Sequence, residues 1–289
     1  MGISAPLETG VLLNGRYSII SLENKTDNEY IYMALDATEN KYVHINEYFP
    51  YSISMRNMSD TNIFTFDICS QDFEDELKRF KKYSQLLYSL NTSPNILSAS
   101  DYFEENNTVY RVSNYINLYS LTDYVNYYNT LDVSTILNIC FSLLDALWVI
   151  HCRNLTYGNV CPATIYICDN NCIKLYLDET IPTQIISAKF LHLTSGFASP
   201  ELCKNHESFI LKPQMDIYSF GALMYYITTG TVPAPATSKG SNGTVIDTGR
   251  LNPNIPPAIN TVIEKAMQLN IKKRYNSVNE IKQFLLSSL

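Results

Sequence analysis

The amino-acid sequence predicts an α+β fold in which a small β-rich lobe precedes a larger helical lobe. In the first half, short runs rich in Ile, Val and Tyr alternate with clusters of Asn, Asp and Thr, which is typical of strands joined by turns. In the second half, apolar residues recur every three or four positions, which is typical of helices with one buried face. The first half is therefore predicted to be mainly β-sheet and the second half mainly helical.

The predicted elements follow one another in a simple order. Strands are expected over residues 17–22, 30–36, 42–48 and 108–115. Before the last of these strands, apolar residues at every third or fourth position predict one main helix over residues 73–90. Further helices are expected over residues 136–147 and 217–228, and a helical end is expected over residues 259–286.

Composition and charge exclude several classes of function. The 289 residues are 46% hydrophobic, which is enough for a substantial core. A net charge of −7 and a pI near 5.1 argue against general binding to nucleic acid or to an anionic membrane. No signal peptide opens the chain, and its longest apolar stretch, residues 135–150, is too short to span a bilayer. We expect a cytoplasmic domain whose residues make no membrane contact. This expectation does not extend to a membrane anchor in any sequence after Leu289.

The cysteines predict neither a disulfide framework nor a metal site. Seven cysteines are scattered through the chain and none forms a Cys-x-x-Cys pair, so reduced thiols are expected. Cys161, Cys168 and Cys172 are close in sequence, but they lack a partner pair at ligand spacing.

A series of motifs in the correct order resembles the bacterial serine/threonine protein kinases over roughly residues 10–287. Residues 43–50 read V-H-I-N-E-Y-F-P, close to the V-A-I-K-E-Y-F-P of that family, and residues 157–162 stand where H-R-D-x-x-P is expected. The resemblance implies one protein-kinase-like domain over residues 1–289, with a small antiparallel N-lobe and a helical C-lobe. The expected boundaries are an N-lobe over 10–114, a hinge over 114–120 and a C-lobe over 121–289.

The N-lobe departs from the family where nucleotide phosphates are held. In place of a glycine-rich loop stand Asn24, Thr26 and Glu29, in an acidic segment that would repel a triphosphate. The phosphate-binding lysine is replaced by Asn46, and its glutamate partner on the helix by Tyr83. A hinge for an adenine ring remains possible at three residues, Asn114, Tyr115 and Ile116, with Ser113 in the gatekeeper position.

The C-lobe departs from the family where the reaction takes place. The catalytic carboxylate is replaced by Asn159, and an amide cannot act as a general base. Cys161 replaces the lysine of the catalytic loop, Thr164 its metal-binding asparagine, and Leu177 the aspartate of the D-F-G motif. Since phosphoryl transfer depends on metal ions and positioned charges, these changes affect the whole mechanism.

The resemblance also implies architectural roles. Glu201 and Arg274 correspond to a buried ion pair of the family. Asp216 is expected to accept hydrogen bonds from the backbone of residues 157–161, and His151 is expected to pack without a chemical role.

Three functional hypotheses result. The favoured one is a pseudokinase that acts as a scaffold or regulator, binds an unknown protein partner, and binds ATP and Mg²⁺ weakly or not at all. The second is an unconventional serine/threonine kinase that retains ATP binding through Asp178 and Glu179. The third is a small-molecule sensor that uses the interlobe cleft.

Overall fold

A computed structural model describes residues 5–57, 60–128, 131–169, 171–177, 185–186, 194–203, 209–238 and 252–289. The chain divides into two compact units, an N-terminal one of Met1–Thr92 with Ser98–Ile116 and a C-terminal one of Ser93–Leu97 with Asn117–Leu289. The step from one unit to the other after Ile116 falls within the expected hinge. Residues 93–97 join the C-terminal unit because Leu97 and Asn95 bond to the backbone of Leu175.

The N-terminal unit is built on a six-stranded antiparallel sheet. Its strands are β1 Leu12–Leu13, β2 Tyr17–Lys25, β3 Glu29–Asp36, β4 Lys41–Tyr48, β7 Asp101–Glu105 and β8 Thr108–Asn114, in the order β1-β2-β3-β4-β8-β7. A separate hairpin pairs β5 Ser54–Arg56 with β6 Ile63–Thr65. Helix α1, Ser70–Ser89, contacts β7 and β8, and its buried aromatic residues Phe73 and Phe80 join the core of this sheet.

Alternating side chains explain why these strands form. In β3, Tyr30, Tyr32 and Ala34 are buried on one face, as the two-residue period of a strand requires. Between β7 and β8, Asn106 and Asn107 both have positive φ, 54° and 60°. Asparagine tolerates this conformation, and such two-residue turns suit the twist of a hairpin.

The C-terminal unit is mainly helical. Its helices are α2 Leu121–Tyr128, α3 Val133–His151, α4 Pro213–Thr229, α5 Pro257–Ala266 and α6 Val278–Ser288. Strand β10 Ile165–Cys168 lies between β9 Leu118–Ser120 and β11 Ile173–Leu175, and β12 Ile185–Ile186 pairs with β13 Phe209–Ile210. The α+β fold class expected from the sequence is thus confirmed.

Two helical segments differ in detail from what the sequence predicts. The predicted helical end over 259–286 consists of two helices, because the side chains of Asn270 and Ser277 accept backbone N–H groups and begin new turns after α5 ends. The apolar stretch expected to be too short for a bilayer lies in α3, whose 19 mostly apolar residues reach the length of a membrane span. Eight of its residues are nevertheless buried within the protein, as in a core helix: Ile136, Ile139, Cys140, Leu143, Leu144, Ala146, Leu147 and Ile150.

Candidate functional site

The turn between β2 and β3 stands where the family places its phosphate-binding loop. Four of its backbone N–H groups are engaged by the turn itself. The Asn24 side chain accepts the N–H of Lys25 at 2.8 Å, and the Thr26 hydroxyl accepts those of Asn28 and Glu29 at 3.3 and 3.0 Å. The N–H of Thr26 donates to the carbonyl oxygen of Glu29 at 2.9 Å. A glycine-rich loop would instead offer such groups to a ligand.

Asn46, in place of the family's lysine, bonds to a carboxylate of the same sheet. Its Nδ2 donates to Oε2 of Glu29 over 2.6 Å. Arg111 lies directly opposite Asn46 in the register of β4 and β8, and its Nη2 lies 3.3 Å from the same oxygen. The side chains of Arg111 and Glu29 are only 11% and 12% exposed. Where the resemblance expects a lysine, the chain thus has an amide, and the nearby positive charge comes from Arg111.

Arg111 also contacts helix α1 at Tyr83, where the resemblance expects a glutamate. Its guanidinium carbon lies 5.0 Å from the ring centroid of Tyr83 and 4.8 Å from that of Phe80, a geometry that favours cation–π attraction. Nη1 of Arg111 is buried and has no hydrogen-bond partner among the described residues. Sequence reasoning missed Arg111, although it is the single charged residue of strand β8.

Glu47, next to Asn46, carries a carboxylate whose role sequence reasoning also missed. It is completely buried, pairs with Arg56, and accepts the hydroxyls of Tyr32 and Tyr110 at 2.8 and 2.7 Å. Burial raises the pKa of both phenols, so they remain donors to the carboxylate. This network joins three strands of the main sheet to the β5–β6 hairpin.

The possible hinge for an adenine ring lies at the end of β8. Asn114 and Tyr115 are exposed and Ile116 is half-buried. Ser113, in the expected gatekeeper position, is opposite His44 of β4. The rings of His44 and Tyr115 are 4.7 Å apart, and burial lowers the pKa of His44.

In the C-terminal unit, Asp216 fixes the loop that stands in place of the catalytic loop. Its buried carboxylate accepts the backbone N–H groups of Tyr157 at 2.8 Å and Gly158 at 2.7 Å. Nε2 of His151 lies 2.8 Å from the same carboxylate, so His151 has a polar partner that sequence reasoning missed. Gly158 has a φ of 80°, a conformation that glycine adopts without strain.

The residues that replace the reactive groups of this loop bond to one another. Oγ1 of Thr164 lies 3.1 Å from the carbonyl oxygen of Asn159 and 3.0 Å from that of Cys161. It also accepts the N–H of Cys161 at 3.3 Å. Thr164 and Cys161 are buried, so the hydroxyl closes a short turn within the loop.

Leu177, in place of the metal-binding aspartate, follows β11 and is 0% exposed. Asp178 and Glu179, the two carboxylates of the alternative hypothesis, lie outside the described residues. Within the part of the chain that the structure describes, no group of three His, Cys, Asp or Glu residues could hold a metal ion.

The structure brings Glu201 and Arg274 together. Nη2 of Arg274 donates to both carboxylate oxygens of Glu201, at 2.9 and 3.0 Å. The remaining donors of Arg274 bond to the carbonyl oxygens of Gln214 and Gln268, both within 3 Å. The Arg274 side chain is fully buried and that of Glu201 is 21% exposed. This arginine therefore joins three segments of the C-terminal unit.

An antiparallel sheet with one main helix, followed by a helical unit whose loop is held by a buried aspartate, is the architecture of protein kinases. The protein kinase domain family matches residues 53–286, so the chain belongs to that family. The structure of PpkA-294 in its apo form is similar over 97% of this chain and 99% of that one, with a TM-score of 0.73 and 20% sequence identity. At that identity, the similarity shows the fold alone.

Bacterial serine/threonine kinases are among the relatives of this chain. A probable serine/threonine-protein kinase of Clostridium perfringens is 24% identical over 286 residues, covering 94% of this chain and 38% of the relative. The serine/threonine-protein kinase PrkC of Bacillus subtilis is 24% identical over 283 residues, with 94% and 40% coverage. The chain therefore spans about two fifths of the length of these relatives.

Proposed function

We propose that this chain is a pseudokinase, a member of the protein kinase family that transfers no phosphate and acts as a scaffold or regulator through binding. The observation that carries the proposal is the bonding of Asn46 and Arg111 to Glu29. In the family, a lysine at the Asn46 position holds nucleotide phosphates. Here a carboxylate of the protein accepts the donors on this part of the sheet.

The C-terminal unit supports the same proposal. Phosphoryl transfer needs a metal ligand and a base beside the substrate hydroxyl. Leu177 offers no ligand atom, the hydroxyl of Thr164 bonds within its own loop, and Asn159 carries an amide. General-base catalysis alone contributes about 10²–10⁴-fold in rate.

These residues do not fit a magnesium–nucleotide complex. The side chains of Asn24 and Thr26 already accept backbone N–H groups of the turn, so these groups are not offered to a triphosphate. The carboxylate of Glu29 would repel it. Adenosine, which carries no phosphate, requires only backbone groups at the hinge, and the residues at 114–116 retain these. We therefore expect weak adenosine binding and weaker binding of ATP with Mg²⁺.

A thermal-shift titration tests this expectation. A ligand that binds the folded form raises its stability by RT ln(1 + [L]/Kd), so millimolar ligand reveals even weak binding. We expect a shift with millimolar adenosine and none with ATP–Mg²⁺ at the same concentration. Binding of ATP–Mg²⁺ in the micromolar range would contradict the proposal.

A phosphotransfer assay tests the alternative of an active kinase. Radiolabelled ATP is incubated with the wild type and with the double variant Leu177→Ala/Asp178→Ala, with and without a generic protein substrate. We expect no labelling by either protein. Labelling by the wild type that disappears in the double variant would support the hypothesis based on Asp178 and Glu179.

Binding to another protein is the proposed activity of the domain. The charge of −7 supports a protein partner over a nucleic acid or an anionic membrane surface, and a cytoplasmic location is part of the proposal. The partner itself is unidentified, and the expectation that the domain binds one rests on analogy within the family.

A further inference from the structure

Two cysteines lie opposite each other at the end of the β10–β11 hairpin. In this hairpin Ile167 pairs with Ile173, and Cys168 and Cys172 continue the register by one residue. The N–H of Cys168 donates to the carbonyl oxygen of Cys172 at 2.9 Å. Their Sγ atoms are 2.9 Å apart. Since the sulfurs of a disulfide are about 2.05 Å apart, the pair needs only a small approach to become bonded.

The fold holds these cysteines in place. The N–H of Asn171 donates to the carbonyl oxygen of Cys168 at 2.9 Å, and Asn171 has the left-handed φ of 60° that closes the turn. From helix α3, the side-chain amide of Asn138 donates to the carbonyl oxygen of Asn171 at 2.8 Å. The two thiols are therefore preorganised before any oxidant arrives, which favours closure over reaction with a second molecule.

We propose that Cys168 and Cys172 form a reversible disulfide and that this hairpin is the thiol-oxidation site of the domain. The proposal goes beyond the pseudokinase assignment and is independent of phosphate transfer. Cys172 is partly exposed and therefore accessible to a small oxidant, whereas Cys168 is almost fully buried. This is the arrangement of an attacking cysteine next to a resolving one.

The oxidant is a low-molecular-weight disulfide of the glutathione class. The thiolate of Cys172 attacks one sulfur of that disulfide, which forms a mixed disulfide and releases one small thiol. Cys168 then loses its proton and attacks Sγ of Cys172, which releases the second small thiol. Two protein thiols are thus oxidised while one small disulfide is reduced to two thiols. Burial, together with the neighbouring Cys172, raises the pKa of Cys168 to about 12, so the second step is faster at higher pH.

Peptide mapping of the full chain tests the proposal. The protein is equilibrated with mixtures of reduced and oxidised glutathione, its remaining thiols are blocked with N-ethylmaleimide, and it is digested without reduction. Trypsin leaves residues 154–174 as one peptide, and a protease that cleaves before Asp169 then separates Cys168 from Cys172. A disulfide keeps the fragments 154–168 and 169–174 together, and fragmentation distinguishes Cys168 from Cys161 as the linked residue.

We expect the linked fragments in oxidising mixtures, with the N-ethylmaleimide label on Cys161, and complete release by excess reduced glutathione. Cys168→Ser and Cys172→Ser should abolish the linked product, while Cys152→Ser, a change at an exposed cysteine, should leave it unchanged. Label on both Cys168 and Cys172 in every mixture would overturn the proposal, as would linkage to a different cysteine. The map of the wild type decides between these outcomes even where a serine variant fails to fold.

Discussion

The fully buried acids among the described residues all bind donors from their own unit: Asp36, Glu47 and Asp216. Asp36 accepts Nε and Nη2 of Arg16, Glu47 pairs with Arg56, and Asp216 accepts two backbone N–H groups. An unpaired buried charge would cost several kcal/mol, so each acid stabilises the fold only with its partners in place. The buried acids among the described residues thus have architectural roles.

Sequence reasoning found only some of these residue contacts. Asp216, Glu201 and Arg274 stand at landmarks of the family, so their roles could be inferred from the resemblance. The contact of Glu29 with Arg111 joins residues 82 positions apart, and no motif marks it. Strand register brings them together, and register depends on the whole sheet.

Glu29→Gln should lower the free energy of unfolding by about 1–3 kcal/mol, because it leaves the guanidinium of Arg111 without its anion. Urea denaturation at neutral pH measures the change. Glu23→Gln, at an exposed position of β2, is the matched control and should change the value by less than about 0.5 kcal/mol. Equal effects of the two variants would show that the contact with Arg111 contributes no stability.

Arg274→Ala should destabilise the protein by about 3–5 kcal/mol, because it leaves Glu201 and several carbonyl oxygens without a donor. The same denaturation experiment on Arg153→Ala, at an exposed position, provides the control. A loss below about 1 kcal/mol for Arg274→Ala would mean that solvent replaces the lost contacts.

Asp36 should make stability depend on pH in the acid range. The bonds from Arg16, and then those from the backbone, hold its pKa below the ordinary value of a carboxyl. A carboxyl with a lowered pKa in the folded state contributes stability above its unfolded pKa of about 3.9, and this stability is lost as the pH falls through the folded pKa. The difference in free energy of unfolding between wild type and Asp36→Asn should therefore shrink below about pH 4. A constant difference between neutral pH and about pH 2 would contradict this account.

Elements with a clear period could be predicted from the sequence, and those defined by side-chain capping could not. Alternation predicted β2, β3, β4 and β8, whereas the sequence of β7, DYFEE, lacks such alternation. The break between α5 and α6 depends on two capping side chains within a continuous apolar period. The contact of α4 with α5 depends on Gly221, since a Cβ there would lie 2.7 Å from Cβ of Ala266.

Gly221→Ala should therefore be destabilising, although alanine favours a helix over glycine by about 1 kcal/mol. The added methyl would also lie 3.0 Å from Cγ of Met267, and overpacking of this kind costs about 1–3 kcal/mol. Combining it with Ala266→Gly removes the clashing atom, so the double variant should be more stable than the sum of the single effects. Strictly additive effects would show that the methyl added at position 221 does not clash with Ala266.

At the scale of the whole molecule, the positions where the resemblance expects catalytic residues belong to both units. Asn46 and Tyr83 lie in the N-terminal unit, and Asn159, Thr164 and Leu177 in the C-terminal one. The fold and the landmarks could be predicted because they follow from apolar periods and short motifs. The absence of phosphate transfer remains a proposal. Activity depends on all these positions acting together, so no single residue decides it.

No single reversion should restore phosphate transfer. Groups that act as a unit in catalysis have strongly non-additive effects, so each restored group lacks the others on which it depends. The structure adds a specific obstacle at two positions. Asn46→Lys places a second cation beside Glu29, in competition with Arg111, and Leu177→Asp places a carboxylate where a leucine is fully buried.

Radiolabelled phosphotransfer by each single variant, Asn46→Lys, Asn159→Asp and Leu177→Asp, measures this, with an active protein kinase domain as the positive control. Circular dichroism establishes which variants are folded, and Asn159→Asp, a change at a partly exposed position, is the one most expected to remain so. We expect labelling indistinguishable from background in all three. Labelling by the folded Asn159→Asp variant alone would mean that the nucleotide and its metal ion already bind productively, because a restored base has no effect without them.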